Sequence, residues 1–204
     1  MPEGAGKGKM QPDDSLYTLR LATEMHDVTA AQRLRYRVFV QELGAEGPMV
    51  DHAAGLERDP FDDLTDHLIL VDNRADPAGG EHVVGAYRLL PSDRLAPGQR
   101  FYSETEYDLT TLRGSGRRLL ELGRSCVHPD HRGGTAMFHL WNGLADYVLA
   151  RGIEVLFGVA SFHGTDVDAL AEPLSWLCHH HLAPPDMRVT ALAQGRAEMC
   201  RISA

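Results

Sequence analysis

From Leu16 to Leu21 apolar and polar residues alternate, the period of a half-buried strand. From Thr29 to Leu43 the spacing turns helical, with Leu34, Val38 and Leu43 broadly on one side and Phe39 adjoining. Thr29 is placed to cap this helix and Gly44 to stop it. Gly44 to Asp66 is a long polar stretch, of the kind that is functional or disordered inside a compact domain. His67 to Val71 and Val83 to Leu90 read as two strands of a hairpin, joined through Pro77, Gly79 and Gly80. A second long loop, Pro91 to Gly116, has room for a short helix, and Leu119 to Val127 is the next strand. Thr135 to Arg151 is the clearest helix, with Met137, Leu140, Trp141, Leu144 and Val148 at helical spacing, Thr135 as cap and Gly152 as stop. Val155 to Phe162 is apolar enough for a strand buried on both faces. A helix over Asp166 to Leu177, with Pro173 interrupting it, and closing strands at Met187 to Leu192 and Ala197 to Ile202 complete the pattern.

This order predicts a mixed α/β sheet with helices packed on it, without the strict alternation of a doubly wound fold. There is no internal repeat, and neither Gly-x-Gly-x-x-Gly nor the P-loop pattern occurs. A chain of 204 residues with 43% hydrophobic residues suits one globular domain, expected over residues 16–204. The Gly-, Lys-, Pro- and Asp-rich residues 1–15 lack the apolar core of a signal peptide and read as a disordered tail. No apolar run approaches the ~20 residues of a membrane span, so any membrane contact is expected to be peripheral.

The formal net charge of −9 argues against nucleic acid as a partner. The acidity is uneven: Arg113, Arg117, Arg118, Arg124 and Arg132 face only Glu121 and Asp130 between Thr111 and Thr135. Such a local excess points to an anionic ligand or an acidic partner. Cys126, Cys178 and Cys200 are few, odd in number and far apart, which implies no disulfide framework and fits a cytoplasmic location. Cys178-His179-His180-His181 has no ligand spacing for a metal, and none is expected. Cys126 reads as strand packing rather than a nucleophile.

The most informative block runs from Glu121 to Trp141: an apolar strand, a proline turn, a basic glycine-rich loop and a helix. Unpaired backbone N–H groups and the positive end of the helix dipole meet where that loop opens into the helix. Arg132, Gly133, Gly134 and Thr135 are placed to hold a phosphate there. Glu121, mid-strand among Leu119, Leu120 and Leu122, is a candidate proton acceptor, the alternative being a structural pair with Arg124 or Arg88.

The element order and the Val127-x-Pro129–basic-Gly-rich–helix segment resemble the GNAT acyltransferase superfamily. More closely, the chain resembles the ornithine Nα-acyltransferases of ornithine-lipid synthesis. The likeness rests on Arg35-Tyr36-Arg37-Val38-Phe39, Asp66-His67-Leu68, Val84-Gly85-x-Tyr87-Arg88-Leu89-Leu90, Phe101-Tyr102-Ser103-Glu104, the Glu121–Trp141 block and the segment Phe157 to Thr165. A more distant likeness, through Arg88-Leu89-Leu90 and Glu121-x-x-Arg124, is to the acyl-homoserine-lactone synthases.

The resemblance implies a mixed, mostly antiparallel GNAT-like central sheet with helices on both faces. It implies transfer of a 3-hydroxyacyl group from acyl carrier protein to the α-amine of L-ornithine. The phosphopantetheine arm of the carrier is then part of the donor, and no permanently bound cofactor is expected. The lipid product implies residence at the inner face of the cytoplasmic membrane. From Arg132 the loop is one residue shorter than the usual GNAT pattern, which suits one phosphate better than a pyrophosphate.

In that architecture Glu121 takes the amine proton and a backbone N–H near Cys126 or Val127 stabilises the thioester oxygen. Charge and position offer Arg88 or Arg124 for the ornithine carboxylate, and Asp66 or Asp166 for its side-chain amine. Ordinary ion pairs are the alternative for each. His163 either contacts substrate or caps the next helix. Two other functions stay open: another GNAT acyltransferase, including an acyl-homoserine-lactone synthase, and a non-catalytic acyl- or phosphopantetheine-binding module.

Overall fold

A computed structural model describes residues 16–203. The expected tail at residues 1–15 lies outside the described residues. Five strands hydrogen-bond in the order β1-β4-β5-β7-β8: β1 (Tyr17–Leu21), β4 (Asp66–Asp72), β5 (Val83–Pro91), β7 (Leu119–Val127) and β8 (Val155–Phe157). β1 runs antiparallel to β4, with Leu19 opposite Leu70, and β7 runs parallel to β8. Two small two-stranded sheets pair β2 (Val50–Asp51) with β3 (Leu56–Glu57), and β6 (Tyr107–Asp108) with β9 (Thr190–Ala191). The helices are α1 (Met25–Arg35), α2 (Thr110–Arg113), α3 (Ala136–Arg151) and α4 (Ala171–His180).

The residues group into two compact units. Of the described residues, the first comprises those up to Asp59, Asp66–Tyr87 and Arg124–Tyr147. Its sheet has helices on both faces because side chains alternate along each strand. Ile69 and Val71 of β4 join Ala30, Ala31, Leu34 and Cys126 in the core under α1. The intervening residues face α3: a Cβ on Gly85 would lie 3.0 Å from Leu140 and 3.2 Å from the Cβ of Leu70. Glycine at position 85 lets α3 settle directly onto the sheet.

The helix start and the helix face both differ from the expectation. α1 begins four residues before Thr29, whose hydroxyl donates to the Met25 carbonyl inside the helix instead of capping it. After Arg35 the chain continues as a π-helical turn, Tyr36–Glu42, and ends at Gly44 with φ +72°. The wider turn rotates Leu43 out to solvent while Val38 and Val40 stay buried. On α3 the buried face is Ala136, His139, Leu140, Leu144 and Tyr147, whereas Met137 and Trp141 are exposed. Helical spacing fits either stripe, and only the position of the sheet selects one.

The second unit comprises Pro60–Thr65, Arg88–Gly123 and the chain from Val148 onward. Its core is Leu90, Phe101, Leu109, Leu112 and Leu119, with Phe157 edge-on to Phe101 at 4.9 Å. The strand expected over Val155 to Phe162 is only three residues long, and Leu156 is exposed. Its pairing ends at Glu121 opposite Phe157, and the next residue, Gly158, presses against the Leu122 carbonyl, 2.3 Å from where a Cβ would stand. Strand Met187–Leu192 is reduced to β9, the segment 197–202 is not a strand, and α4 starts at Ala171 rather than Asp166.

The cysteine expectation is overturned. Cys178 and Cys200 form a disulfide. The segment around Cys200 is hydrogen-bonded along α4: the Arg201 and Ile202 amides donate to the Ser175 hydroxyl oxygen, and His179 bonds to the Ile202 carbonyl. That return of the chain leaves no trace in the sequence spacing.

Candidate functional site

In the first unit, the loop expected to bind phosphate is fixed at both sides. The His128 amide donates to the Val84 carbonyl, and the Tyr17 hydroxyl pairs with His131 Nδ1 at 2.9 Å. Gly133 has φ +77°, a conformation that suits glycine and turns the chain into α3. The N–H groups of Gly133, Gly134 and Thr135 have no hydrogen-bond partner among the described residues. They lead into a helix of 16 residues, so orphan donors and the helix dipole coincide here as expected.

Arg132 does not reach outward from this loop as the sequence suggested. Its Nε donates to the Val127 carbonyl at 3.0 Å, and its two terminal nitrogens grip the carboxylate of Glu42 at 2.6 and 2.7 Å. Glu42 closes the π-helical turn. The pair holds the Glu42 carboxyl below and the Arg132 guanidinium above their ordinary pKa ranges. Burial, with Arg37 adding to it, pushes His128 below the usual imidazole range. Arg33, Arg37, Gln41, Glu81 and His128 line a cleft of about 470 Å³ on the α1 side.

Arg124 also lies in this unit and is the one non-glycine residue with positive φ (+50°) among those described. Its guanidinium bonds Glu57 at 3.0 Å and Asp59 at 3.3 Å. Glu57 in turn accepts from Arg35, which is buried at the end of α1, at 2.5 Å. Asp66 accepts from the Tyr147 hydroxyl at 2.7 Å. Val127 is buried and its carbonyl is taken by Arg132.

In the second unit, Glu121 is 5% exposed and accepts three hydrogen bonds. Ser103 donates its amide (2.6 Å) and hydroxyl (2.5 Å) to Oε1, and the Tyr102 amide donates to Oε2 at 2.9 Å. A carboxylate has about four acceptor positions, so one remains, on Oε2. Arg88 is buried, pairs with Asp62 at 3.3 Å and lies over the Phe61 and Tyr102 rings at 5.7 and 5.8 Å. His163 lies on an exposed stretch, and Asp166 accepts from the Asp168 and Ala169 amides ahead of α4.

The buried acids Glu57, Asp59 and Asp62 were missed, because they fall in the polar stretch read as a loop. Their signal was four acids, Glu57, Asp59, Asp62 and Asp63, within seven positions beside Phe61. Cys126 is buried, and burial pushes its thiol up to about 12, so it stays protonated near neutral pH and serves as packing.

The model of the acetyltransferase (GNAT) domain family matches residues 34–142. The L-ornithine N(alpha)-acyltransferase of Rhodobacter capsulatus is 64% identical over 175 residues, covering 86% of this chain and 68% of the relative. The protein of the same name from Brucella abortus is 40% identical over 176 residues, covering 85% of this chain and 63% of the relative. The chain thus spans about two thirds of the length of the curated relatives it matches. Among solved structures, the AHL synthase LasI superposes with a TM-score of 0.50 at 16% identity over 78% of each chain, a likeness of fold. By the extent of these matches, the chain belongs to the acetyltransferase (GNAT) domain family.

Proposed function

We propose that this chain is an N-acyltransferase that moves a (3-hydroxy)fatty acyl group from acyl carrier protein to the α-amine of L-ornithine, giving lyso-ornithine lipid. The observation that carries the proposal is the 64% identity over 86% of the chain to a protein named for that acceptor. Residues 16–204 act as one acyltransferase domain. The unpaired N–H groups of Gly133, Gly134 and Thr135, with Arg132 beside them, receive the phosphate of the donor's phosphopantetheine arm.

Near neutral pH the α-ammonium group of a free amino acid is largely protonated and cannot attack. Glu121 takes that proton, directly or through water, on the free position of Oε2. The amine nitrogen then attacks the thioester carbon, the carbon–sulfur bond breaks, and the departing thiolate takes up the second proton that the nitrogen gives up on becoming an amide. A backbone N–H at Val127 faces the oxyanion in this scheme. Arg88 or Arg124 pairs with the ornithine carboxylate, sharing its charge with the acids it already holds. Asp66 receives the side-chain ammonium, and His163 contacts the substrate. The fatty product supports peripheral contact with the inner face of the cytoplasmic membrane; no described helix is long and apolar enough to cross one.

A thiol-release assay tests the proposal, with 3-hydroxyacyl carrier protein offered ornithine, S-adenosylmethionine or lysine. Release that depends on ornithine is expected. Release with S-adenosylmethionine instead would make the chain a lactone synthase, and binding of the donor without turnover of any amine would make it a non-catalytic module. Within the same assay, Glu121→Gln is expected to lower turnover about 100-fold. Full turnover of that variant would leave Glu121 as an anchor for the Tyr102–Thr105 turn only.

A further inference from the structure

A guanidinium beside a glycine-rich loop ordinarily adds a full positive charge to whatever the loop binds. Here that charge is already matched. Arg132 has five N–H donors; one goes to the Val127 carbonyl and two to the Glu42 carboxylate. The geometry is the fork-to-fork arrangement in which a guanidinium is held in one orientation. His128, at the start of the loop, is pushed below the usual imidazole range by burial, and Arg37 and Asp130 act on it with opposite signs. Beside the two N–H donors that Arg132 keeps, the loop offers the uncharged N–H groups of Gly133, Gly134 and Thr135, which have no partner among the described residues. The loop therefore presents dipoles with little net charge.

We infer that Glu42 is a specificity-determining residue: by neutralising Arg132 it tunes the loop for a singly charged phosphodiester and against more highly charged donors. A phosphopantetheine arm on a carrier protein brings one phosphodiester charge. Coenzyme A brings a pyrophosphate and a further phosphate monoester. An uncharged cradle of amides suffices for the first, whereas the second needs compensating positive charge that Glu42 has removed. Glu42 acts through Arg132, since it carries the same sign as the ligand. The inference rests on the proposed role of this loop as the donor's phosphate site.

Its test is a binding measurement that does not depend on turnover. Coenzyme A is titrated by calorimetry into the wild-type chain, Glu42→Gln, Arg132→Gln and the double variant, at low and moderate salt. Glu42→Gln is expected to bind coenzyme A about fivefold more tightly than wild type at low salt, with the gain shrinking as salt rises. In the Arg132→Gln background the Glu42→Gln change should bring no gain. Equal or weaker affinity in the single variant overturns the inference, and so does an undiminished gain without Arg132. Where the wild-type chain transfers acyl groups, the same substitution should raise the preference for acyl-coenzyme A over acyl carrier protein through the donor KM. An absence of transfer with every amine would instead strike the proposed function and leave the binding comparison standing.

Discussion

Asp27 shows how one buried residue sets a pH dependence. It is 1% exposed and accepts two hydrogen bonds from Arg20, one from each terminal nitrogen, with His82 Nε2 at 3.2 Å. The Arg20 guanidinium, outweighing burial, holds its carboxyl at about 2, well below the ordinary 3.8. A carboxyl lowered on folding adds stability that is fully present above its unfolded pKa and is lost as pH falls through the folded value. Between pH 4 and pH 2 the chain should therefore lose about 2 kcal/mol from this group. Denaturant titrations of wild type and Asp27→Asn across that window should converge as the pH drops. A constant gap between the two would remove Asp27 as the source.

At the scale of elements, polar anchors hold irregular segments onto regular ones. Glu57 takes Arg35 from the end of α1 and Arg124 from β7 on its two oxygens, which fixes the short β2–β3 hairpin. Glu57 is the carboxylate shared by both guanidiniums, so Glu57→Gln should cost about 3 kcal/mol in urea unfolding. A cost near zero would mean that water reaches the arginines. Close approach matters as much. At Gly158 an added Cβ would run into the Leu122 carbonyl, a backbone atom that cannot swing aside. Gly158→Ala should break the three-residue pairing of β7 with β8, read as faster amide exchange at Leu120, whose N–H faces β8 in this register. Unchanged exchange would show that β8 can shift freely.

For the whole molecule, the thiol inventory is a direct check on the fold. With Cys178 and Cys200 joined and Cys126 buried, the native chain should expose no reactive thiol. Denaturation without reductant should release one, and denaturation with reductant three. Closing a loop with a sequence separation of 22 also restricts the unfolded chain, so Cys178→Ser should cost about 3 kcal/mol. Two thiols titrating in the native state would show that the C-terminal segment leaves α4.

Local pattern by itself determined where β1, β4, β5, β7 and α3 lie, because alternation and helical spacing are properties of neighbouring residues. It also determined the order strand, proline turn, glycine loop, helix, and with it a set of unpaired amides at residues 133–135. The tertiary structure decided which α3 stripe is buried, how short β8 is and that Cys178 meets Cys200. It also decided what each charged side chain holds: Arg132 grips a residue 90 positions away, Arg124 one 67 positions away, and Glu121 a turn 18 and 19 positions away. Periodicity reports on the next few residues, whereas the partner of a buried charge is set by which distant segments the core brings to the same place.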